Sequence, residues 1–242
     1  MFRAAAQGKA LVFDTDGLIG GNEVFKDRQT GSHWQQSSLE AISGPLHGTH
    51  LTIYPFLLTD WDEWRRQHPD TLVLKPLPGY ADRLAEMNKI VNQGVSGVPG
   101  PAPKGAFGRD DRLHPKDTIV GLELDGETKA YPMSRLRGVR VLNDSLAGSP
   151  VVIVHQPSSD TTTAFIAQSN GKTLKFRAAD AGADKLRDLE TDSEWTAYGV
   201  CVAGPLKGTR LKPLVLEPEF WFAWSEFHPR TKLYVAAATH SP

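Results

Sequence analysis

Short apolar runs rich in Val, Ile, Thr and aromatic residues recur along the chain, each bounded by Gly, Pro, Asn or Asp. Runs of that length and composition predict strands. They fall at Lys9 to Phe13, Glu23 to Lys26, Leu51 to Tyr54, Leu72 to Leu74, Thr118 to Leu124, Thr128 to Tyr131, Val151 to His155, Thr161 to Gln168, Leu174 to Ala178, Tyr198 to Val202 and Leu211 to Leu216. Asp125-Gly126 and Asn170-Gly171 are hairpin turns, because both residues tolerate the positive φ that a two-residue hairpin loop needs. Helical patterns are few. Residues 59–68 carry acids in the first turn, bases in the last and Pro69 as a stop. Residues 78–93 place Tyr80, Leu84, Met87 and Val91 at helical spacing. The pattern predicts a mainly β fold, a β-rich α+β arrangement of antiparallel sheets built as rolls or a sandwich.

The run from Gly94 to Gly105 is rich in Gly and Pro and reads as a linker. Its two sides resemble each other. Gly44-Pro45-Leu46-His47-Gly48-Thr49 recurs as Gly204-Pro205-Leu206-Lys207-Gly208-Thr209, and at the same spacing Trp61, Trp64, His68 and Thr71 meet Trp221, Trp224, His228 and Thr231. One residue further out of phase, Asp27, Thr30, Ser32 and Trp34 meet Asp188, Thr191, Ser193 and Trp195. The expectation is therefore two related antiparallel β units: a partial first unit over 1–78, a helix and linker over 79–116, and a complete second unit over 117–237. Each Trp-x-x-Trp pair should lie on one helix face and pack on a sheet. The first unit opens at the equivalent of Phe176, so residues upstream of Met1 are expected to complete it.

Composition narrows the function classes. Lys and Arg number 27 against 28 Asp and Glu, and a net charge of −1 gives no basic excess for a nucleic-acid partner. The apolar runs are too short for a membrane span. A single cysteine, Cys201, leaves no disulfide framework or Cys-rich zinc site, and reads as a small core hydrophobe. The N-terminus has no signal-peptide pattern. A small-molecule or protein partner is left open, and no cofactor is assigned.

Two stretches are similar to a known family. Val120 to Pro132, followed by Asn143-Asp144 and Ala147 to Val152, together with Asp27 to Trp34, Gly44 to Thr49 and Trp61 to Thr71, resemble the domain of unknown function 3179. The resemblance covers most of the chain. It implies a prokaryotic, commonly exported protein, extracytoplasmic if the N-terminus is truncated. It singles out Asp27, Arg28, Tyr131, Asn143, Asp144 and His155 as binding candidates. It also implies His-Glu shortly before the Asn-Asp pair and a Cys-Pro-Leu-Cys-like motif after the Pro-Val strand. Here Val139-Arg140 and Gln156-Pro157-Ser158-Ser159 stand at those places. The thiols and histidine of a metal or redox constellation are thus replaced, which favours a non-catalytic binding or structural module. The alternative is a metal or thiol redox protein whose site lies in a missing N-terminal half.

A competing enzyme reading rests on Ala10 to Ile19, which resembles the first motif of haloacid-dehalogenase-like phosphatases. Asp14 would be the nucleophile, Asp16 the general acid, and Mg²⁺ would bridge carboxylate and phosphate. That fold needs strands alternating with long helices, which the pattern does not predict. Ser158, Ser159 and Asp160 near His155 have the letters of a nucleophile site but lack a Gly-x-Ser-x-Gly elbow.

Overall fold

The computed structural model describes residues 2–19, 22–54, 56–75, 79–80, 82–86, 110–179 and 184–235. The chain is mainly β, and its larger sheets are four-stranded and almost wholly antiparallel. Turn chemistry sets the hairpins. Asp125-Gly126 and Asn170-Gly171 have positive φ at both positions, as expected, and Ala147-Gly148 makes a third such turn that the sequence pattern did not single out.

One sheet orders Lys212–Leu214, Thr161–Ile166, Ser149–Gln156 and Val141–Leu146 side by side. Its strand Ser149–Gln156 is buried on both faces. Val151 and Ile153 enter one core with Leu122, Tyr131, Leu136 and Leu142, while Val152 and Val154 enter another with Leu186, Trp195 and Cys201. The strand period of two delivers alternate side chains to the two layers. A second sheet orders Glu217–Phe220, Thr118–Leu124, Glu127–Pro132 and Lys232–Leu233, the last pair parallel. Against it lies the helix Trp221–Phe227, with Trp221 and Trp224 fully buried among Ile119 and Ala130.

Two further sheets share a plan. Phe13–Ile19, Asn22–Asp27, His33–Gln35 and Ala41–Ser43 form one; Phe176–Ala178, Lys185–Asp188, Glu194–Thr196 and Cys201–Ala203 form the other. Each has a bulge just before a buried tryptophan, Trp34 or Trp195, and the first has a second one between Thr15 and Leu18. In each, a glycine at φ near +90°, Gly44 or Gly204, lies against a serine, Ser32 or Ser193, so closely that a Cβ would be 2.7 Å from the serine Cα.

Three expectations are corrected. Leu72 to Leu74 is apolar but forms no strand among the described residues, and Leu51 to Tyr54 supplies only a single bridge, Phe2 to Ile53. The helix Trp61–Gln67 forms, capped by the Asp60 carboxylate, which accepts the Glu63 N–H at 2.7 Å. Its tryptophans, however, are not buried as their counterparts are: Trp61 is 50% exposed and Trp64 half-buried, whereas Trp221 and Trp224 are 0% exposed. A helix Met133–Val139, absent from the pattern, follows Pro132. Of the helix expected over 78–93, residues 82–86 are helical; the rest of it and the linker over 94–105 lie outside the described residues, except Gly79 and Tyr80. No helix among the described residues is long and apolar enough to cross a membrane.

Candidate functional site

The candidates sort by what their side chains already hold. Asp27 is fully buried and accepts from the Trp34 indole at 2.9 Å, the Thr30 hydroxyl at 2.8 Å and the Thr30 N–H. Burial alone would raise its pKa; these donors more than reverse that and hold it below the usual carboxylate range. Asp188 makes the same bonds to Thr191 and Trp195. Both aspartates pin a turn to a tryptophan, which is a folding role.

Arg28 reaches back to Asp14 with two bonds of 2.7 Å, and Asp16 faces His33 Nε2 at 2.7 Å. The Arg28 bonds hold Asp14 below its ordinary pKa. Both aspartates sit on the exposed strand Phe13–Ile19 of an antiparallel hairpin. A phosphatase motif instead ends a parallel strand, with its first carboxylate free for phosphorus.

Tyr131, Asn143 and Asp144 likewise join elements. Asp144 accepts from Lys129 Nζ at 2.6 Å and from the Tyr131 hydroxyl at 3.0 Å. Burial and this carboxylate push the Tyr131 phenol far above its normal pKa, so it stays a donor. Asn143 brackets the backbone of Phe176, donating to its carbonyl at 2.7 Å and accepting its N–H at 2.8 Å. That pair ties the sheet edge to the layer beyond.

His155 is different. It is the penultimate residue of the strand Ser149–Gln156, is 1% exposed, and its Nδ1 lies 3.1 Å from the Thr162 hydroxyl. Thr162 and Asp160 line a cleft of about 740 Å³. The helix Met133–Val139 contributes Met133, Ser134 and Arg137, spaced so that one helix face meets the cleft. Phe56, Leu58, Val120, Leu216, Pro218 and Phe220 supply apolar wall. At the polar end Arg137 grips Asp160 in two parallel bonds of 3.0 and 2.7 Å, which hold the Asp160 carboxyl below its ordinary pKa. At the other side Lys116 lies 5.8 Å over the Phe220 ring.

Thr162, His155 and Asp160 have the composition of a nucleophile relay but not its geometry. His155 Nε2 is 3.6 Å from Asp160, beyond a hydrogen bond, and Asp160 gives both oxygens to Arg137. Burial, helped by Arg137 and Arg140 and opposed by Asp160, pushes the imidazole pKa of His155 down, which favours its neutral form.

The structure also brings together the two places where the sequence departs from the pattern it resembles. The His155 N–H donates to the Arg140 carbonyl at 2.7 Å, so Val139-Arg140 and Gln156 to Ser159 are neighbours beside the cleft. Gln156 is buried; its amide donates to Asp184 at 3.1 Å, and its Oε1 has no partner among the described residues. Ser159 bonds Thr161 at 2.7 Å, and Thr161 bonds Thr59 at 2.8 Å. A family model described as a protein of unknown function, DUF3179, matches residues 1–231. The chain belongs to the DUF3179 family. No curated protein and no solved structure matches it. In this DUF3179 chain Cys201 is buried in a core, and burial raises its thiol pKa, which disfavours a reactive thiolate.

Arg137 and Thr162 were not legible as site residues. Arg137 depends on a seven-residue helix with little periodicity, and Thr162 is one of three consecutive threonines on a strand. Glu219, another residue of the cleft wall, has its carboxylate held by the Ser37 hydroxyl at 2.9 and 3.0 Å. Burial raises its pKa to about 7 against the pull of Ser37.

Proposed function

We propose that this chain is a binding module whose cleft beside His155 takes a small organic molecule with an apolar body and a polar head. The observation that carries this is the cleft itself: about 740 Å³, with an apolar wall and polar groups set into it, Ser134, Arg137, Asp160 and Thr162 on one side and Lys116 and Glu219 among those elsewhere. That combination of size and lining is what small-molecule sites have in common. The wall would bury the ligand's body. Thr162, Ser134 and the outer edge of the Arg137–Asp160 pair would fix its head.

Binding without turnover is favoured because Arg137 occupies both oxygens of Asp160 and the imidazole is not coupled to a free hydroxyl and carboxylate at relay distances. The side chains at 139, 140, 156 and 159 are Val, Arg, Gln and Ser, which supply neither thiolate nor imidazole. The twin Asp-Thr-Ser-Trp corners support reading 1–78 and 117–237 as related units. Screening the full chain against small organic fragments by ligand-observed NMR tests the proposal. Hits should be lost in Ser134→Trp, which plugs the cleft from an exposed position on its lip. Hits that survive this change would place binding elsewhere.

A further inference from the structure

The helix Trp61–Gln67 and the segment after it have the same internal geometry as Trp221–Phe227 and its sequel. Trp64 Nε1 donates to Thr71 Oγ1 at 3.0 Å, as Trp224 Nε1 does to Thr231 Oγ1 at 2.9 Å. The rings of Trp64 and His68 are 4.1 Å apart, and those of Trp224 and His228 are 3.9 Å apart. In both, the histidine N–H bonds the tryptophan carbonyl and the threonine N–H bonds the histidine carbonyl.

Their surroundings differ. Trp224 lies on the strand Thr118–Leu124 at Gly121, where a Cβ would fall 2.2 Å from the ring. Lys232–Leu233 pairs in parallel with Lys129 and Ala130, and the Tyr234 N–H bonds the Ala130 carbonyl. On the first copy Trp61 is 50% exposed, and Leu72, Val73 and Leu74 are 95%, 69% and 93% exposed. Three consecutive apolar residues presented to water, with no backbone bond to another described residue, are a template for strand addition. The helix is nonetheless fixed in place. Buried Glu63 accepts the Tyr198 hydroxyl at 2.6 Å, so the surface is preformed.

The geometry points to a docking surface, made of Trp61, Trp64 and Leu72 to Leu74, for a β-hairpin of the Thr118–Pro132 kind. The second copy says what the occupant looks like. One strand presents a glycine beneath Trp64. The other offers a free edge to Val73 and Leu74, which stand where Leu233 and Tyr234 stand. The face turned to the helix is apolar and uncharged, as Ile119, Gly121 and Ala130 are. This surface lies on different residues from the cleft.

The test is hydrogen exchange on the full chain with and without a synthetic peptide of this chain's own residues 116–133, at about millimolar peptide because isolated hairpins are marginal. The expected result is at least about tenfold slower exchange of the amides at 72–74, and no slowing with the same peptide carrying Gly121→Leu. No slowing at millimolar peptide, equal slowing by both peptides, or amides at 72–74 already protected in the peptide-free chain would each overturn the proposal.

Discussion

Trp224 lies on Gly121 so closely that no other residue fits at 121 without displacing the ring. The relationship states the difference between the two tryptophan helices in one contact. We expect Trp224→Ala to cost about 3–5 kcal/mol, the range for emptying a packed aromatic site. Gly121→Val should cost on the order of 1–3 kcal/mol by overpacking. Trp61→Ala, on an exposed position, should stay within about 0.5 kcal/mol. Urea unfolding of the three variants measures these, and equal losses at 61 and 224 would show that the first helix is covered too.

Glu63 and Tyr198 are 135 residues apart in sequence and 2.6 Å apart in space. The phenol bond, with help from Gln67 and Arg66, holds the Glu63 carboxyl below its ordinary pKa even though burial pushes the other way. A depressed carboxylate pKa contributes stability at neutral pH that is lost as pH falls through the folded value. Tyr198→Phe leaves that buried carboxylate short of a donor and should cost about 1–3 kcal/mol at pH 7. The loss should shrink as the pH falls through the depressed pKa of Glu63 and its carboxylate takes a proton. A loss independent of pH would mean the hydroxyl contributes only packing.

Glu219 titrates in the opposite sense. Burial raises it to about 7, and Glu217 beside it is raised to about 7 by burial and by its neighbours Glu219 and Glu123. In the unfolded chain these groups ionise near 4.5, so the folded state holds more protons between about 4.5 and 7 and loses stability as pH rises through that window. His228, half-buried and lowered to about 4 by desolvation, acts against this, since it loses stability as pH falls below about 6.5. The comparison of variants separates them. Glu219→Gln should gain stability relative to the parent chain between pH 5 and pH 8, by an amount of order 1–3 kcal/mol. A constant difference across that range would mean the Glu219 carboxylate is ionised throughout.

Turn residues and strand composition made the hairpins readable in advance, because Asp-Gly and Asn-Gly carry their backbone conformation with them. Thr118 to Leu124 was read at its observed ends. Leu72 to Leu74 was misread for a physical reason: a strand exists only where a neighbour takes its hydrogen bonds, and apolar letters do not show the neighbour. Trp61 and Trp221 look alike in sequence and differ in burial because, among the described residues, a sheet lies beneath Trp221 alone. The helix Met133–Val139 was missed because Pro132 begins it without a side-chain cap, Gly138 sits near its end, and only Met133 and Leu136 are buried. Without that helix Arg137 had no place, and the cleft stayed hidden. His155 was legible as a candidate, but its setting depends on two turns, at Arg140 and Asp160, whose φ values are positive on non-glycine residues.

Met133 gives the most direct view of the cleft, since it lines the wall and is one of only three methionines in the chain. Methyl NMR on chain labelled at methionine, titrated with the fragments that bind, reads that wall alone. The account predicts that bound fragments shift the Met133 methyl resonance, and that Ser134→Trp abolishes both the shift and the binding while leaving the fold intact. Fragments that bind with the Met133 resonance unmoved, or a library in which nothing binds at millimolar concentration, would contradict it.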